Sequence, residues 1–395
     1  MTDLAARIPI VRPSLGDEEI AAVSRVIRSG WLSQGPEVAA FEREFAAAVG
    51  TVHAVAMANC TVALQAALIA VGVEPGDDVI TVSHSFVATA NAVVAAGARP
   101  VFVDVRPGTL GMDPAALERA ITARTRAILC VHQIGIPCDL ERIMAIADAR
   151  GLPVVEDAAC AIGSELRWQG RWERIGRPRG LVACFSFHPR KVVTTGDGGM
   201  LTTGDDAIAA RLRLLRQHAM TISDTARHES QTVVFEQYLE PAFNFRMTDL
   251  QAAIGRVQLA RLDDIVAERR RLASVYQEAF RAHPVLDVLV EEPWSRTNWQ
   301  SYPVFLRQGS GVTQAAAMQH LYDQGIACKR GIGNAHQEPA YAGRSNWAKA
   351  ASESLAESER LRDRTMLLPL FHGMSREEQD RVIAACRDFP RETPV

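Results

Sequence analysis

The run Cys60-Thr-Val-Ala-Leu-Gln-Ala-Ala-Leu-Ile-Ala-Val71, followed shortly by Asp78-Val-Ile-Thr-Val82, is the most informative stretch for the architecture of this chain. Its first part places Leu64, Leu68 and Val71 on one face of a helix, because residues three or four apart are neighbours there. Its second part is short and rich in β-branched residues, which predicts a strand. A helix followed by such a strand is the repeating unit of α/β proteins.

The same alternation recurs on both sides of this stretch, from about Glu37 to Ala210. Further strand candidates are residues 100–104, 127–131 and 152–156, with helical patterns between them. Apolar runs separated by helices are typical of parallel strands that are buried on both faces. The fold class is therefore predicted to be α/β, with a mostly parallel central sheet and helices on both faces.

A second, smaller domain is predicted after a long helix. The polar stretch from Met220 to Phe243 gives way to strong helical periodicity at Asp249, which continues through Leu262 and the charged residues to Arg271. The remainder offers one strand candidate, residues 301–307, and helices rich in Ala, Arg and Glu. With 395 residues, two domains are expected. We predict a large domain over 1–262 and a small α+β domain over 263–395.

Composition excludes several classes of protein. Forty-three basic and forty-six acidic residues give a net charge of -3 without a basic stripe, which argues against nucleic acid as a partner. No apolar run reaches the length of a membrane span. The seven cysteines are odd in number and never form a C-x-x-C pair, so neither a disulfide framework nor a metal site is expected. These features predict a cytoplasmic protein that does not associate with membranes.

The run Phe185-Ser-Phe-His-Pro-Arg-Lys191 points to amine chemistry. It places Lys191 between a short apolar strand and a glycine-rich turn. An amine at a cavity floor there is expected to have its pKa lowered by desolvation, which exposes the neutral nucleophile for imine formation. Taken alone, a lysine in this position is better interpreted as an ordinary surface lysine.

Two further features supply possible partners for such a lysine. Asp157 follows a buried strand in Val154-Val-Glu-Asp-Ala-Ala-Cys160, at the edge where open α/β sheets bind ligands. A carboxylate there can keep a pyridine nitrogen protonated, although Asp157 also suits a helix N-cap. Asn59, Cys60 and Thr61 precede a helix whose amides could bind phosphate, with the Ser186 hydroxyl nearby; a simple capped helix explains them almost as well.

Taken together, these segments resemble the DegT/DnrJ/EryC1/StrS family of pyridoxal-5′-phosphate (PLP) dependent sugar aminotransferases, which have the type I fold of aspartate aminotransferase. The resemblance covers most of the chain and comprises ordered segments, none of which is specific alone. They are residues 29–42, 74–81, 97–104, 154–159, 185–191 and 244–259.

The resemblance implies roles for particular positions. Lys191 matches the lysine that forms the internal aldimine and acts as general base, and Asp157 matches the acid that pairs with the pyridine nitrogen. Phe86 matches the aromatic residue that stacks on the cofactor. Phosphate contacts are implied for Ser186, Cys60 and Thr61, and also for Asn244, which the family contributes from the neighbouring subunit. A homodimer with shared active sites follows.

Three positions depart from the commoner family pattern. Cys60 stands where glycine usually precedes Thr61, and so puts a side chain near the expected phosphate. Cys160 stands where glutamine or histidine usually contacts the cofactor's phenolic oxygen, and a thiol is a weaker donor. Phenylalanines flank Asn244 in place of the more usual tyrosines, a change expected to alter packing more than chemistry.

The resemblance also implies the reaction. An amino acid, with glutamate favoured, gives its amino group to a nucleotide-linked keto-deoxysugar, or alternatively to a keto-cyclitol. Relatives that dehydrate deoxysugars carry histidine in place of the lysine, so Lys191 argues against that reaction. A non-catalytic regulator would be expected to lack Lys191 or Asp157. A nicotinamide enzyme is disfavoured because no G-x-G-x-x-G follows a predicted strand.

An anionic substrate needs cationic side chains to bind it. The sequence contains several candidates, none of which belongs to a recognisable motif. The candidates are Lys329, Arg330, Arg246 and His336, together with Arg227 and His228 in the polar stretch. Each also fits a solvated surface position. His188 and His218 flank the core motifs and are interpreted as structural, because the lysine already supplies a base.

Overall fold

The computed structural model describes residues 7–222, 227–228, 230–344, 347–349 and 354–390. The strands within these ranges are, in chain order, β1 (His53–Met57), β2 (Asp78–Val82), β3 (Arg99–Val103), β4 (Thr125–Val131), β5 (Val154–Asp157), β6 (Glu165–Trp168), β7 (Arg171–Arg174), β8 (Val182–Ser186), β9 (Gly199–Thr203), β10 (Leu286–Val288), β11 (Ser295–Arg296), β12 (Tyr302–Leu306), β13 (Lys329–Arg330), β14 (Ala348–Lys349) and β15 (Thr365–Leu368).

The α-helices of the described residues alternate with the strands in the first half of the chain and dominate the second. They are α1 (Asp17–Ser29), α2 (Pro36–Val49), α3 (Cys60–Ala70), α4 (Ala88–Ala95), α5 (Pro114–Ala120), α6 (Leu140–Arg150), α7 (Asp206–Arg216), α8 (Asp249–Ala260), α9 (Leu262–Phe280), α10 (Gln314–Asp323), α11 (Ala356–Arg364) and α12 (Arg376–Arg387).

The largest sheet has, among the described residues, eight strands in the order β1-β9-β8-β5-β4-β2-β3-β14. The run from β8 to β14 is parallel throughout, whereas β9 is antiparallel to both of its neighbours, β1 and β8. The prediction of an α/β fold with a mostly parallel sheet is confirmed.

Both faces of this sheet are covered by helices. Alternate residues of each strand enter different hydrophobic clusters; Ile128 of β4 packs with α2, α6 and α8, while Leu129 packs with α3 and α4. Side chains of a strand point alternately to the two faces, so strands buried on both sides are apolar along their whole length. That is why these strands appear in the sequence as continuous apolar runs.

Helix α3 brings its first turn to the carboxyl ends of the parallel strands. The Asn59 side chain caps it by accepting a hydrogen bond from the Val62 N–H at 3.1 Å. A side-chain cap satisfies one of the first four amides, and the other free amides remain available for a ligand. The sequence predicted either a simple capped helix or a phosphate site here. A cap of this kind leaves other amides free for a phosphate, so both can be present.

The second half of the chain builds a separate antiparallel sheet. Its order is β10-β12-β15-β13, and it packs against α9, α10 and α12 in a hydrophobic cluster of its own. Helix α9 touches both clusters, with Val266 in one and Tyr276 in the other. The predicted long helix is interrupted at Arg261 and runs on to Phe280. The division at residue 262 stays a prediction.

Several contacts cross between the halves of the chain. Ile8 forms a bridge with Ile326 and packs in the cluster of the second sheet. In the other direction, Ala348 of β14 pairs with Val101 at the edge of the large sheet. None of the helices in the described ranges combines the length and apolarity that crossing a membrane requires.

Candidate active site

A cavity of about 740 Å³ lies at the carboxyl ends of β4, β5 and β8, between the two sheets. Seven of the eight residues predicted to contact the cofactor line it, namely Cys60, Thr61, Phe86, Asp157, Cys160, Ser186 and Lys191. The position agrees with the rule that open α/β sheets bind ligands beyond the carboxyl ends of their strands. The structure thus brings together residues that are up to 131 positions apart in the sequence.

Asp157 is buried and held in a fixed orientation. One carboxylate oxygen accepts a hydrogen bond from the Thr89 hydroxyl at 2.8 Å, and the other accepts one from the Ala159 N–H at 3.1 Å. Burial raises the pKa of Asp157, while these two hydrogen bonds and the nearby Lys191 act in the opposite direction. The carboxylate therefore faces the cavity in an environment that favours pairing with a buried cation.

Thr89 is a site residue that sequence reasoning missed. Its hydroxyl donates to Asp157, and the Ser85 hydroxyl lies 2.8 Å from it, so a short chain of hydroxyls leads to the carboxylate. Both threonine and serine line the cavity. Thr89 lies three residues and Ser85 one residue from Phe86. This proximity is the signal in the sequence that could have suggested their contact with the site.

Lys191 reaches the cavity from the loop after β8. Its backbone N–H donates to the His188 carbonyl at 2.8 Å, and its Nζ donates to Cys160 Sγ at 2.9 Å. Burial lowers the pKa of Lys191, but the hydrogen bond to Cys160 and the nearby Cys60 and Asp157 outweigh it, so the pKa lies above the usual value. The expectation of a lowered pKa is wrong for the ligand-free form, because it considered burial without the neighbouring acids.

The first turn of α3 forms the wall opposite the lysine loop. Cys60 is buried and Thr61 half-buried, and both line the cavity with Asn59. Strand β9 runs directly behind this turn, where a Cβ on Gly199 would lie 2.6 Å from the Asn59 carbonyl and 2.8 Å from the Cys60 nitrogen. The close approach of β9 therefore fixes the position of the turn.

Phe86 and Ser186 complete the surroundings of the lysine. The Phe86 ring lines the cavity and remains 71% exposed, which leaves its face open to a flat ligand. Ser186 ends β8 and is buried, with its hydroxyl within 3.4 Å of the His188 N–H. Both residues line the cavity, and the ring and phosphate contacts predicted for them stay predictions.

The cationic residues predicted to bind the substrate lie in different parts of the structure. Lys329 lines the cavity, and burial together with Arg190 and Lys191 lowers its pKa. Arg190 lines the cavity as well and was missed; its position next to Lys191 was a signal that the sequence did contain. His188 also lines the cavity, whereas the sequence interpretation assigned it only a structural role.

The other predicted substrate residues are not among those that line this cavity. Arg246 donates to Asn244 at 3.0 Å on the molecular surface. His336 is buried between Ser83, at 2.6 Å, and Glu359, at 3.1 Å. Arg227 and His228 border a separate depression with Trp31. Arg330 is exposed in β13. In a single chain these residues are thus outside the cavity.

A model of a known protein family matches most of the chain. The model of the DegT/DnrJ/EryC1/StrS aminotransferase family matches residues 13–387. The chain belongs to this family. It is 39% identical over 384 residues to the spore coat polysaccharide biosynthesis protein SpsC of Bacillus subtilis (strain 168), with 97% of each chain covered. The family resemblance and the prediction of an aminotransferase are confirmed.

Solved structures of this aminotransferase family superimpose on nearly the whole chain. DesV of S. venezuelae, in complex with a ketimine intermediate, gives a TM-score of 0.84 at 35% identity, covering 96% of this chain and 98% of DesV. The PLP-form of the putative sugar aminotransferase Spr1654 of Streptococcus pneumoniae gives 0.85 at 25% identity, with the same coverage. The predicted type I aminotransferase fold is confirmed, and the chain is similar to sugar aminotransferases.

Proposed function

We propose that this aminotransferase uses PLP, bound through Lys191, to move an amino group from glutamate to a nucleotide-linked keto-deoxysugar. The observation that carries the proposal is the convergence of Lys191, Asp157 and the first turn of α3 on one cavity. An amine, a carboxylate and free helix amides are the three groups that an aldehyde, a pyridine nitrogen and a phosphate require.

The residues present fit this cofactor. Asp157 has a buried carboxylate whose two hydrogen bonds leave lone pairs free toward the cavity. The amides of Cys60 and Thr61 belong to a first helical turn, which has no carbonyl partners within the helix. Cys60 is the least expected member; its thiol is buried, and burial raises its pKa, so it presents a neutral side chain beside the phosphate position.

The bound cofactor would supply an electron sink for the pair of electrons released when the donor's Cα–H bond breaks. Lys191 is the group placed to take that proton and return it, since its side chain lines the cavity near Asp157. Asp157 would hold the ring nitrogen protonated, and the Thr89 hydroxyl keeps the Asp157 carboxylate oriented. Phe86 would orient the ring by stacking against its face.

Two cations flank the lysine and suit the anionic parts of both substrates. Arg190 and Lys329 line the cavity beside Lys191. An arginine offers a planar fork to a carboxylate or a phosphate, and a lysine offers a point charge. We assign them to the donor carboxylates and the acceptor diphosphate, which occupy the site in turn. SpsC, a polysaccharide biosynthesis protein, supports a sugar as the acceptor.

A homodimer is part of the proposal. Asn244 is exposed and outside the cavity of its own chain. It directly follows a segment with four exposed apolar side chains, namely Val233, Phe235, Tyr238 and Leu239. Such a patch is typical of a surface that another protein covers. A second copy seated there would carry its own Asn244 toward this cavity.

The cofactor's absorbance tests the proposed reaction. The purified protein with PLP should develop the absorbance of a lysine-bound cofactor, and that absorbance should change when glutamate is added. Lys191→Ala should lack it, and Asp157→Asn should keep it while losing most of its response to glutamate. A wild-type spectrum identical to free PLP, unaltered by glutamate, would refute the proposal.

A panel of acceptors then identifies the second substrate. Enzyme pre-treated with glutamate is mixed with nucleotide-linked 3-keto and 4-keto deoxysugars and with a keto-cyclitol, and recovery of the original spectrum is followed. We expect recovery with a keto-sugar nucleotide. Recovery with the cyclitol alone would assign the alternative reaction, and release of water from the sugar without amination would assign dehydration.

A further inference from the structure

Two buried glutamines line the cavity without using all of their hydrogen-bonding capacity. Gln133 follows β4 and Gln300 precedes β12, and the two residues are 5% and 9% exposed. The Gln133 amide nitrogen donates to the His84 carbonyl, and the Gln300 amide nitrogen donates to the Arg190 carbonyl at 3.0 Å. A backbone carbonyl can only accept, so these contacts use the nitrogen of each amide and leave its oxygen free.

The two amide oxygens are acceptors with open space beside them. Within the part of the chain that the structure describes, no donor bonds to the side-chain oxygen of Gln133 or Gln300. Neither oxygen belongs to the fully enclosed polar atoms that lack a partner. Since both residues are buried and line the cavity, the open side of each oxygen faces the cavity.

The two glutamines lie in loops that pack directly against each other. Gly135, two residues after Gln133, accepts at its carbonyl from the Thr297 hydroxyl at 3.0 Å. A Cβ on Gly135 would lie only 2.1 Å from Asn298 Oδ1. That Oδ1 atom accepts from the Gln300 N–H at 2.8 Å. The loop after β4 and the segment before β12 therefore form one wall of the cavity.

Each glutamine also adjoins a residue with an unusual backbone conformation. Ile134, next to Gln133, has a φ of 47°, and Trp299, next to Gln300, has a φ of 51°. Branched and bulky residues rarely adopt this left-handed region. Such conformations persist only where the surrounding structure enforces them, and they cluster at ligand sites. The direction of the two side chains is therefore a built feature of the fold.

A free amide oxygen in a cavity suits a ligand that donates a hydrogen bond. The keto acid formed from glutamate, 2-oxoglutarate, carries carboxylates and a ketone, which accept hydrogen bonds and do not donate them near neutral pH. The amino group of glutamate does donate, but it is the group that reacts beside Lys191. A sugar ring carries hydroxyl groups, which donate. Two fixed acceptors therefore match the ring of the amino-group acceptor.

We propose that Gln133 and Gln300 recognise the amino-group acceptor by accepting hydrogen bonds from hydroxyl groups of its ring. The inference rests on the proposed function, since it concerns the second substrate of the same reaction. A site built to bond a hydroxyl discriminates against a ligand without one, because its buried polar group is then left unpaired. The glutamines thus favour a hydroxylated ketone over the keto acid that occupies the same cavity.

The test compares two ketones that react with the same form of the enzyme. Protein pre-treated with glutamate and freed of excess amino acid is mixed with the nucleotide-linked keto-deoxysugar or with 2-oxoglutarate, and the return of the original absorbance is followed. Gln133→Met and Gln300→Met keep the length of the side chain and remove the amide oxygen. Each should lower the ratio of the sugar rate to the 2-oxoglutarate rate about tenfold, as expected for one lost hydrogen bond.

The ratio separates recognition of the sugar from a general disturbance of the site. Loss of the amide's bond to the backbone would change both rates together and leave the ratio unaltered. Gln277→Met is the matched control, because Gln277 is half-buried and its amide nitrogen donates to the Leu289 carbonyl at 2.8 Å, away from the residues that line the cavity. It should keep the wild-type ratio.

The outcomes distinguish this inference from the proposed function. Wild-type ratios in both Gln133→Met and Gln300→Met would overturn the inference. A wild type that reacts with glutamate and 2-oxoglutarate but with no hydroxylated ketone would also overturn it, and would leave the use of PLP and glutamate standing. A wild type that reacts with none of these compounds would overturn the proposed function, and this inference with it.

Discussion

His84 is a buried imidazole two residues before Phe86, and it gives the site a defined sensitivity to acid. Its Nδ1 is 2.9 Å from the Asn334 amide oxygen, and Gln133 donates to its carbonyl. Burial lowers the pKa of His84 from 6.5 to about 4, and the hydrogen bond to Asn334 opposes this only in part. The folded protein thus keeps this side chain neutral where the unfolded chain protonates it.

We predict a pH-dependent loss of stability that His84 causes. Its contribution to the free energy of unfolding is present above pH 6.5 and is lost as the pH falls toward 4, because only the unfolded chain takes up the proton. Between pH 7 and pH 5, wild type should lose about 2 kcal/mol more than His84→Asn in urea unfolding. Equal losses would show that His84 does not cause the effect.

The sequence predicted the residues whose role follows from local position. Lys191 and Asp157 both lie just beyond the carboxyl end of an apolar run, so their convergence could be inferred from strand order alone. Thr89 and Asn298 could not be found in this way, because each acts through a contact with a distant residue. Thr89 donates to Asp157 across 68 positions, and the Asn298 amide donates to the Cys160 carbonyl across 138. Their side chains carry no chemistry that marks them in isolation.

Among the secondary structure elements, strand β9 and helix α3 are the pair that shapes the end of the cavity where we propose that the phosphate binds. The predicted parallel strands were found within two residues of their expected positions, since apolar runs between helices are a strong signal. The antiparallel pairings of β9 and the edge strand β14 were not predicted. Strand direction and edge pairing depend on the return path of the chain, which periodicity does not encode.

We predict that Gly199→Ala weakens cofactor binding without unfolding the sheet. The added methyl group would overlap the Asn59 carbonyl and the Cys60 nitrogen, so β9 and the first turn of α3 must separate. Overpacking of this kind costs about 1–3 kcal/mol, and a dissociation constant for PLP about tenfold higher is expected in absorbance titration.

The matched control for that substitution lies five residues away. Gly204 follows the same strand, and a methyl group added there would meet no atom within 4 Å, so Gly204→Ala should bind PLP like wild type. Unchanged affinity in Gly199→Ala would mean that the first turn of α3 does not hold the phosphate.

Across the molecule, the cavity depends on both sheets and, in our proposal, on a second subunit. The change of pattern after Met220 predicted a second unit, and the later part of the chain does form a second sheet with its own hydrophobic cluster, while the domain boundary stays a prediction. The cross-connections through Ile8 and β14 were not predicted, because they join segments at opposite ends of the sequence. Residues 298–300 connect this second unit to the site, through hydrogen bonds to the carbonyls of Cys160 and of Arg190, the residue before Lys191.

We predict that Phe235→Ser weakens dimerisation. The ring is 86% exposed in the isolated chain, and burying it in a symmetric interface contributes about 1.5–3 kcal/mol per copy. Light scattering after size exclusion should show a monomer at concentrations where wild type is a dimer. Val290→Ser, which removes a side chain that is 78% exposed in the smaller unit, should remain dimeric. A monomeric wild type would contradict the prediction.

The covalent position of the cofactor tests the account most directly. The chain contains only three lysines, Lys191, Lys329 and Lys349, so borohydride reduction of the PLP-loaded enzyme followed by peptide mass spectrometry gives an unambiguous answer. The account predicts the reduced cofactor on the peptide that contains Lys191. Recovery of the label on Lys329 or Lys349 instead, or on no lysine, would contradict it.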